Sequence, residues 1–206
     1  MKSSYKAELD ILVQKKKNEM PTSFSEMALD TIFITLEYTP QYLTEFATHF
    51  DDKSSLKPII DGKRSFKETL IHLLNFEGLN YTTIYPAFLI NNPKVYPLHA
   101  ERDFDKLSLF SDFQLKELLT AFCFERRKYL NFLKSLKKKD WNKQLREEGK
   151  ARVETIYLMA RRTAVHDFTP VSYTHLRAHE TVLDLVCRLL LEKKNTRHED
   201  TIFYLH

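Results

Sequence analysis

From residue 26 onward, apolar side chains recur at steps of three and four, interrupted by short polar or proline-bearing stretches. That period belongs to helices with one greasy face. The run ALDTIFITLEYTPQYLTEFATHF predicts helix over about 26–50, with Ser25 placed to cap it. Pro40 has no N–H to donate, so Thr39–Pro40 predicts a break there between two helices. DDKSSLKPIIDGKRS reads as a loop with a turn at Asp61–Gly62, and Ser65 with Glu68 forms a capping box that opens a helix over about 66–90. Its main apolar stripe is Phe66, Leu70, Leu73, Leu74, Tyr81, Ile84 and Phe88. His72 falls on a second stripe with Thr69, Phe76, Leu79 and Thr83. A loop holding Pro93 and Pro97 leads to a third helix over about 112–138. A fourth opens near Lys150 and carries Val153, Ile156, Tyr157, Ala160, Ala164 and Phe168. On it His166 shares a side with Met159, Arg162 and Thr163. The expectation is an all-α four-helix bundle over 26–169, preceded by an N-terminal arm, residues 1–25.

Composition agrees. The chain has 206 residues, 43% of them hydrophobic, enough for one core, and only 3 glycines, too few for many tight hairpins. The net charge of +4 does not call for nucleic acid; KKK at 15–17 and LKSLKKKDW at 133–141 read as solvated helix ends. No run reaches the ~18 apolar residues of a membrane span, and the first residues lack a signal peptide's apolar core. Cys123 and Cys187 lie far apart, so free thiols in a reducing cytoplasm are expected. Glu77 lies on the apolar stripe of the second helix and needs a partner there, for which Arg126 and Arg127 are the candidates. Trp141, Tyr85 and the phenylalanines of the third helix read as core, and His49 and His99 as surface residues. There is no Ser/His/Asp set, glycine-rich phosphate loop or zinc-knuckle spacing.

Four pieces, in order, carry a family likeness: LEYTPQYLTEF, GKRSFKETLIHLLNFEGLN, RRKYLNFLKSLKKKDWNKQ and ETIYLMARRTAVHDF. Their layout over about 30–169 resembles the DinB-like superfamily, metal-binding four-helix bundles found mostly in bacteria. The resemblance implies one histidine ligand from the second helix and two from the last, as HDxxH or HxxxH. His72 matches the first ligand and His166 the second; the third would stand at position 170, which is proline. Histidines at i and i+4 share a helix face and can reach one ion, and three protein ligands leave a position open for water or substrate. Asp167, beside His166, would either support the site or face solvent. The resemblance further implies a divalent metal, zinc or nickel, and a low-molecular-weight thiol or other small molecule as partner. Family members also pair as homodimers through helix faces. The intact parent would then be a metal-dependent thiol S-transferase or hydrolase. This chain lacks one ligand, which leaves open a non-catalytic bundle that acts by protein association or carries a decayed site.

Pro170 has two explanations. If it is native, the last helix is interrupted there, and His175 and His179, also i and i+4, could supply the missing ligand. Otherwise the sequence from Pro170 onward is foreign. PVSYTHLRAHE and LVCRLLLEKK resemble the two halves of a peptide produced when sequencing-adapter DNA is read as coding sequence, with Thr181, Val182, Leu183 and Asp184 between them. On this second reading, which we favour, residues 170–206 are a non-native tail and the natural chain continues HDFTH.

Overall fold

The computed structural model describes residue 18, residues 20–58 and residues 62–174, with the backbone alone for residue 101 and residues 168–174. Four long helices build the bundle: α1 (Glu26–Ala47), α2 (Phe66–Gly78), α4 (Leu115–Ser135) and α5 (Ile156–Thr174), with the short α3 (Ile84–Leu89) between α2 and α4. The expected starts hold. Ser25 Oγ accepts from the Ala28 N–H, and Ser65 and Glu68 make both bonds of a capping box. α1 packs on α5 and α4, and α2 packs on α4 and α5. The second helix and the last therefore face each other.

Four expectations need correction. Pro40 does not break α1, which continues through it. The missing proline N–H would strand the carbonyl of Leu36, four residues back, and the Arg126 guanidinium donates to that oxygen at 3.3 Å instead. The helix expected over 66–90 divides into α2, a 3₁₀ turn at Leu79–Tyr81, and α3. Pro86 cannot donate to Thr82, but it fits the first turn of a new helix, and Thr82 and Thr83 turn their hydroxyls onto the Leu79 carbonyl. The last helix starts at Ile156 rather than Lys150, because residues 144–155 form a hairpin of β2 (Gln144–Glu147) and β3 (Val153–Thr155). Gly149 takes the positive φ of 75° in its turn, and β1 (Lys94–Val95) adds a third, parallel strand. Finally, the α5 backbone stays helical across Pro170 to Thr174. Proline's φ is itself helical, so what α5 loses there is one donor to the His166 carbonyl. His175, His179 and the rest of the tail lie outside the described residues.

Residues 20–24, expected as part of a loose arm, are held on the core. Met20 is buried, Phe24 packs on Trp141 and Tyr157, and Tyr157 and Arg161 donate to the carbonyls of Met20, Pro21 and Ser23.

The apolar interior falls into two clusters. One gathers Ile32, Leu36, Tyr129, Leu133, Trp141, Ile156 and Ala160; the other gathers Leu43, Phe46, Phe66, Leu70, Leu118 and Phe122. Between them lies a buried ionic layer. Arg126 sits in α4 midway between Phe122 and Tyr129, pairs with Glu77 of α2 at 2.5 Å and with Asp167 of α5 at 2.5 Å, and all three side chains are 1% exposed. Asn80 donates to the second oxygen of Glu77 at 3.1 Å. Of the two residues expected as partners for Glu77, the structure selects Arg126.

Two carboxylates share one guanidinium, so ionising both would leave one uncompensated negative charge in the layer. Burial pushes the Glu77 carboxyl up, against the pull of Arg126 and with the help of Asp167. A raised carboxyl favours folding while it is protonated. That contribution is present below the ordinary glutamate value of 4.5 and is lost as pH rises through the folded value. Urea unfolding of Glu77→Gln should therefore show it gaining stability relative to the parent as pH rises from about 4.5 to 7. Arg126→Met leaves two buried carboxylates without a cation and should cost about 3–5 kcal/mol at pH 7, well beyond the Glu77→Gln effect.

Candidate metal centre

α2 and α5 each bring one imidazole to their shared face. His72 lies one turn before Phe76, and His166 lies one turn after Arg162. The Nε2 atoms of His72 and His166 stand 2.8 Å apart, with ring centroids at 4.7 Å. One ring donates an Nε2–H and the other accepts on a bare Nε2, so at least one imidazole is neutral. Phe76 stacks on His166 at 3.8 Å and 12° between planes, and that contact sets the ring's tilt. His72 is buried and His166 half-buried.

The pair opens onto a cavity of about 320 Å³. The second stripe read on α2 contributes His72, Phe76, Leu79 and Thr83 to its wall, and the side of α5 read around His166 contributes Met159, Arg162 and Thr163. His99, expected on the surface, is exposed but stands on this wall; His49 is exposed and does not line it. The segment bearing Leu98 and His99 is tied down just beyond. Gly78 leaves room for the Phe104 ring, which a Cβ would meet at 3.1 Å, and Asn75 donates to Asp105 at 2.6 Å.

Asp167 does not face solvent. It accepts from Arg126 and so fixes the turn of α5 that carries His166. Two imidazoles bound to one zinc ion at ~2.1 Å would hold their nitrogens about 3.4 Å apart, so the present pair would have to open by only about half an ångström. The two rings thus fit two places in a nitrogen-ligated site. Among the described residues no group of three His, Cys, Asp or Glu side chains is arranged to hold a metal. No helix among them is long and apolar enough to cross a membrane.

Residues not singled out beforehand complete the cavity. The alternation in β2 and β3 turns Glu147 and Glu154 inward, and Arg162 of α5 meets both, with Nη1 at 3.5 Å from Glu147. Lys150 also pairs with Glu147. Burial alone would raise the Glu147 carboxyl, but Lys150 and Arg162 outweigh it and hold it below the ordinary range. Short alternating runs, QLRE and VET around Gly149, were the available signal.

Phe76→Ala should leave the fold intact yet free the His166 ring. In a Pro170→His background, cobalt or zinc titration should show affinity falling about 10- to 100-fold, the range for groups that orient a ligand from outside the coordination sphere.

Comparison with known proteins agrees with the architecture. No protein-family model matches the chain, and no curated protein matches it. Among solved structures it is similar to YfiT from Bacillus subtilis, described as a probable metal-dependent hydrolase with an unusual four-helix bundle topology. The match covers 76% of this chain and 91% of that one, with a TM-score of 0.65 and 14% sequence identity. At that identity the likeness speaks for fold alone, and it agrees with the four-helix bundle read from the sequence.

Proposed function

We propose that the chain derives from a DinB-like, divalent-metal-dependent enzyme, a hydrolase or thiol S-transferase, with His72 and His166 as two of its three metal ligands. The observation that carries this is the meeting, at the wall of a cavity, of two imidazole nitrogens from residues 94 positions apart on different helices. A divalent ion held there would lower the pKa of a bound water or thiol and supply a nucleophile near neutral pH. The chain's own part is positional. Phe76 sets the His166 ring, Arg126 locks α2 and α5 in register through Glu77 and Asp167, and the apolar wall limits water around the imidazoles.

The third ligand would come from position 170, one turn beyond His166, where proline offers no donor atom. That favours a second reading for the chain as it stands, a bundle with a decayed site. The foreign-tail explanation reconciles the two, with the parent active and this copy lacking a ligand.

Metal analysis after equilibrium dialysis against micromolar zinc or nickel tests it. The full chain with Pro170→His should retain about one ion per molecule, while the unaltered chain and the double variant Pro170→His with His72→Ala should retain little. A Pro170→His chain that stays metal-free removes the metal reading. Retention that survives His72→Ala places the metal elsewhere.

A further inference from the structure

The cavity beside the histidines has a charge arrangement that the metal reading does not use. Five ionic residues cluster on the β2–β3 hairpin and α5. Their carboxylates are underneath, with Glu147 8% and Glu154 4% exposed; their cations are on top, with Lys150 44% and Arg162 42% exposed. Arg152, 69% exposed, pairs with Glu154 from outside. Three cations against two carboxylates leave one positive charge in excess. Both Lys150 and Arg162 line the cavity. A molecule entering it meets N–H donors already oriented by buried acids, with little ordering entropy left to lose.

Arg162 stands about one turn before His166, so their backbone positions lie about 6 Å apart along the helix, and both side chains line the cavity. Beside this polar end the wall is apolar, built from Phe76, Leu79, Leu98 and Met159. A volume of about 320 Å³ lies at the small end of the ~300–1,000 Å³ usual for small-molecule sites.

We propose that this cavity binds a small amphipathic carboxylate, its acid group on Arg162 and Lys150 and its apolar part along Phe76, Leu79 and Leu98 toward the histidine pair. A single excess positive charge suits a monoanion better than a doubly charged phosphate, and the guanidinium fork matches a carboxylate's two oxygens. The proposal rests on this cavity being the functional site, and it does not depend on a bound metal. It names the substrate class that the enzyme of the preceding section would accept.

Four probes with one six-carbon tail test it: hexanoate, hexanol, hexylamine and hexyl phosphate, titrated into the full chain in EDTA-containing buffer. Binding is read from the ring-proton NMR signals of His72 and His166. Hexanoate should shift these signals and bind at least about tenfold more tightly than hexylamine, the order of one charge-assisted hydrogen bond. Arg162→Gln should weaken hexanoate about tenfold and leave hexanol unchanged. Should that variant fail to fold, Lys150→Gln decides, because Glu147 then keeps Arg162 as its partner; it too should weaken hexanoate and spare hexanol. Equal or tighter binding of hexylamine, no hexanoate response, or hexanoate binding indifferent to the folded variant overturns the proposal. Tighter binding of hexyl phosphate than hexanoate overturns the assignment to a carboxylate. With metal chelated, none of these outcomes bears on the zinc and nickel dialysis, so the two readings fail separately.

Discussion

One guanidinium shared by two carboxylates holds the middle of this bundle. Arg126 reaches from α4 to Glu77 on α2 and Asp167 on α5, and its Nη1 also covers the carbonyl that Pro40 leaves open in α1. All four long helices are thus joined through one side chain in a layer where 1% of each partner is exposed. Such a layer is costly to bury and adds little net stability compared with an apolar replacement. What it imposes is geometry: hydrogen bonds of fixed direction reject neighbouring helix registers that apolar packing would tolerate.

The position of the histidine pair follows from that layer. Asp167 adjoins His166, and Glu77 lies just over one turn beyond His72, so the ion pairs that hold α2 against α5 also set the distance between the imidazoles. Asn80 donates to Glu77 and lines the cavity, extending the same hydrogen-bond network to the site. Apolar clusters above and below exclude water from the layer, and the cavity begins where the packing of α2 on α5 gives way to the hairpin and the 98–104 segment.

Two kinds of charge placement coexist around this site. In the layer, two carboxylates against one cation and deep burial raise Glu77. In the hairpin cluster, a surplus of cations leaves Lys150 and Arg162 toward solvent and a lowered Glu147 beneath them. The first stays inside because its groups saturate one another's hydrogen bonds, and the second presents its donors outward because strand alternation buries the acids first.

The four-helix class, the caps at Ser25 and Ser65, the pairing need of Glu77 and the two stripes bearing His72 and His166 were all legible in the sequence, because each depends on neighbours within a turn or two of chain. The breaks expected at Pro40 and Pro170 do not occur, for the complementary reason. Local rules count the lost N–H at a proline, but whether the stranded carbonyl finds a donor can depend on a residue 90 positions away, as Arg126 shows for Leu36. The hairpin was easy to pass over because its alternating strands are only four and three residues long. Sequence alone determined which faces would be apolar and which histidines lay off them. Only the tertiary structure decided that those two off-stripe faces meet, since α2 and α5 become neighbours through an ionic layer whose members come from three separate helices.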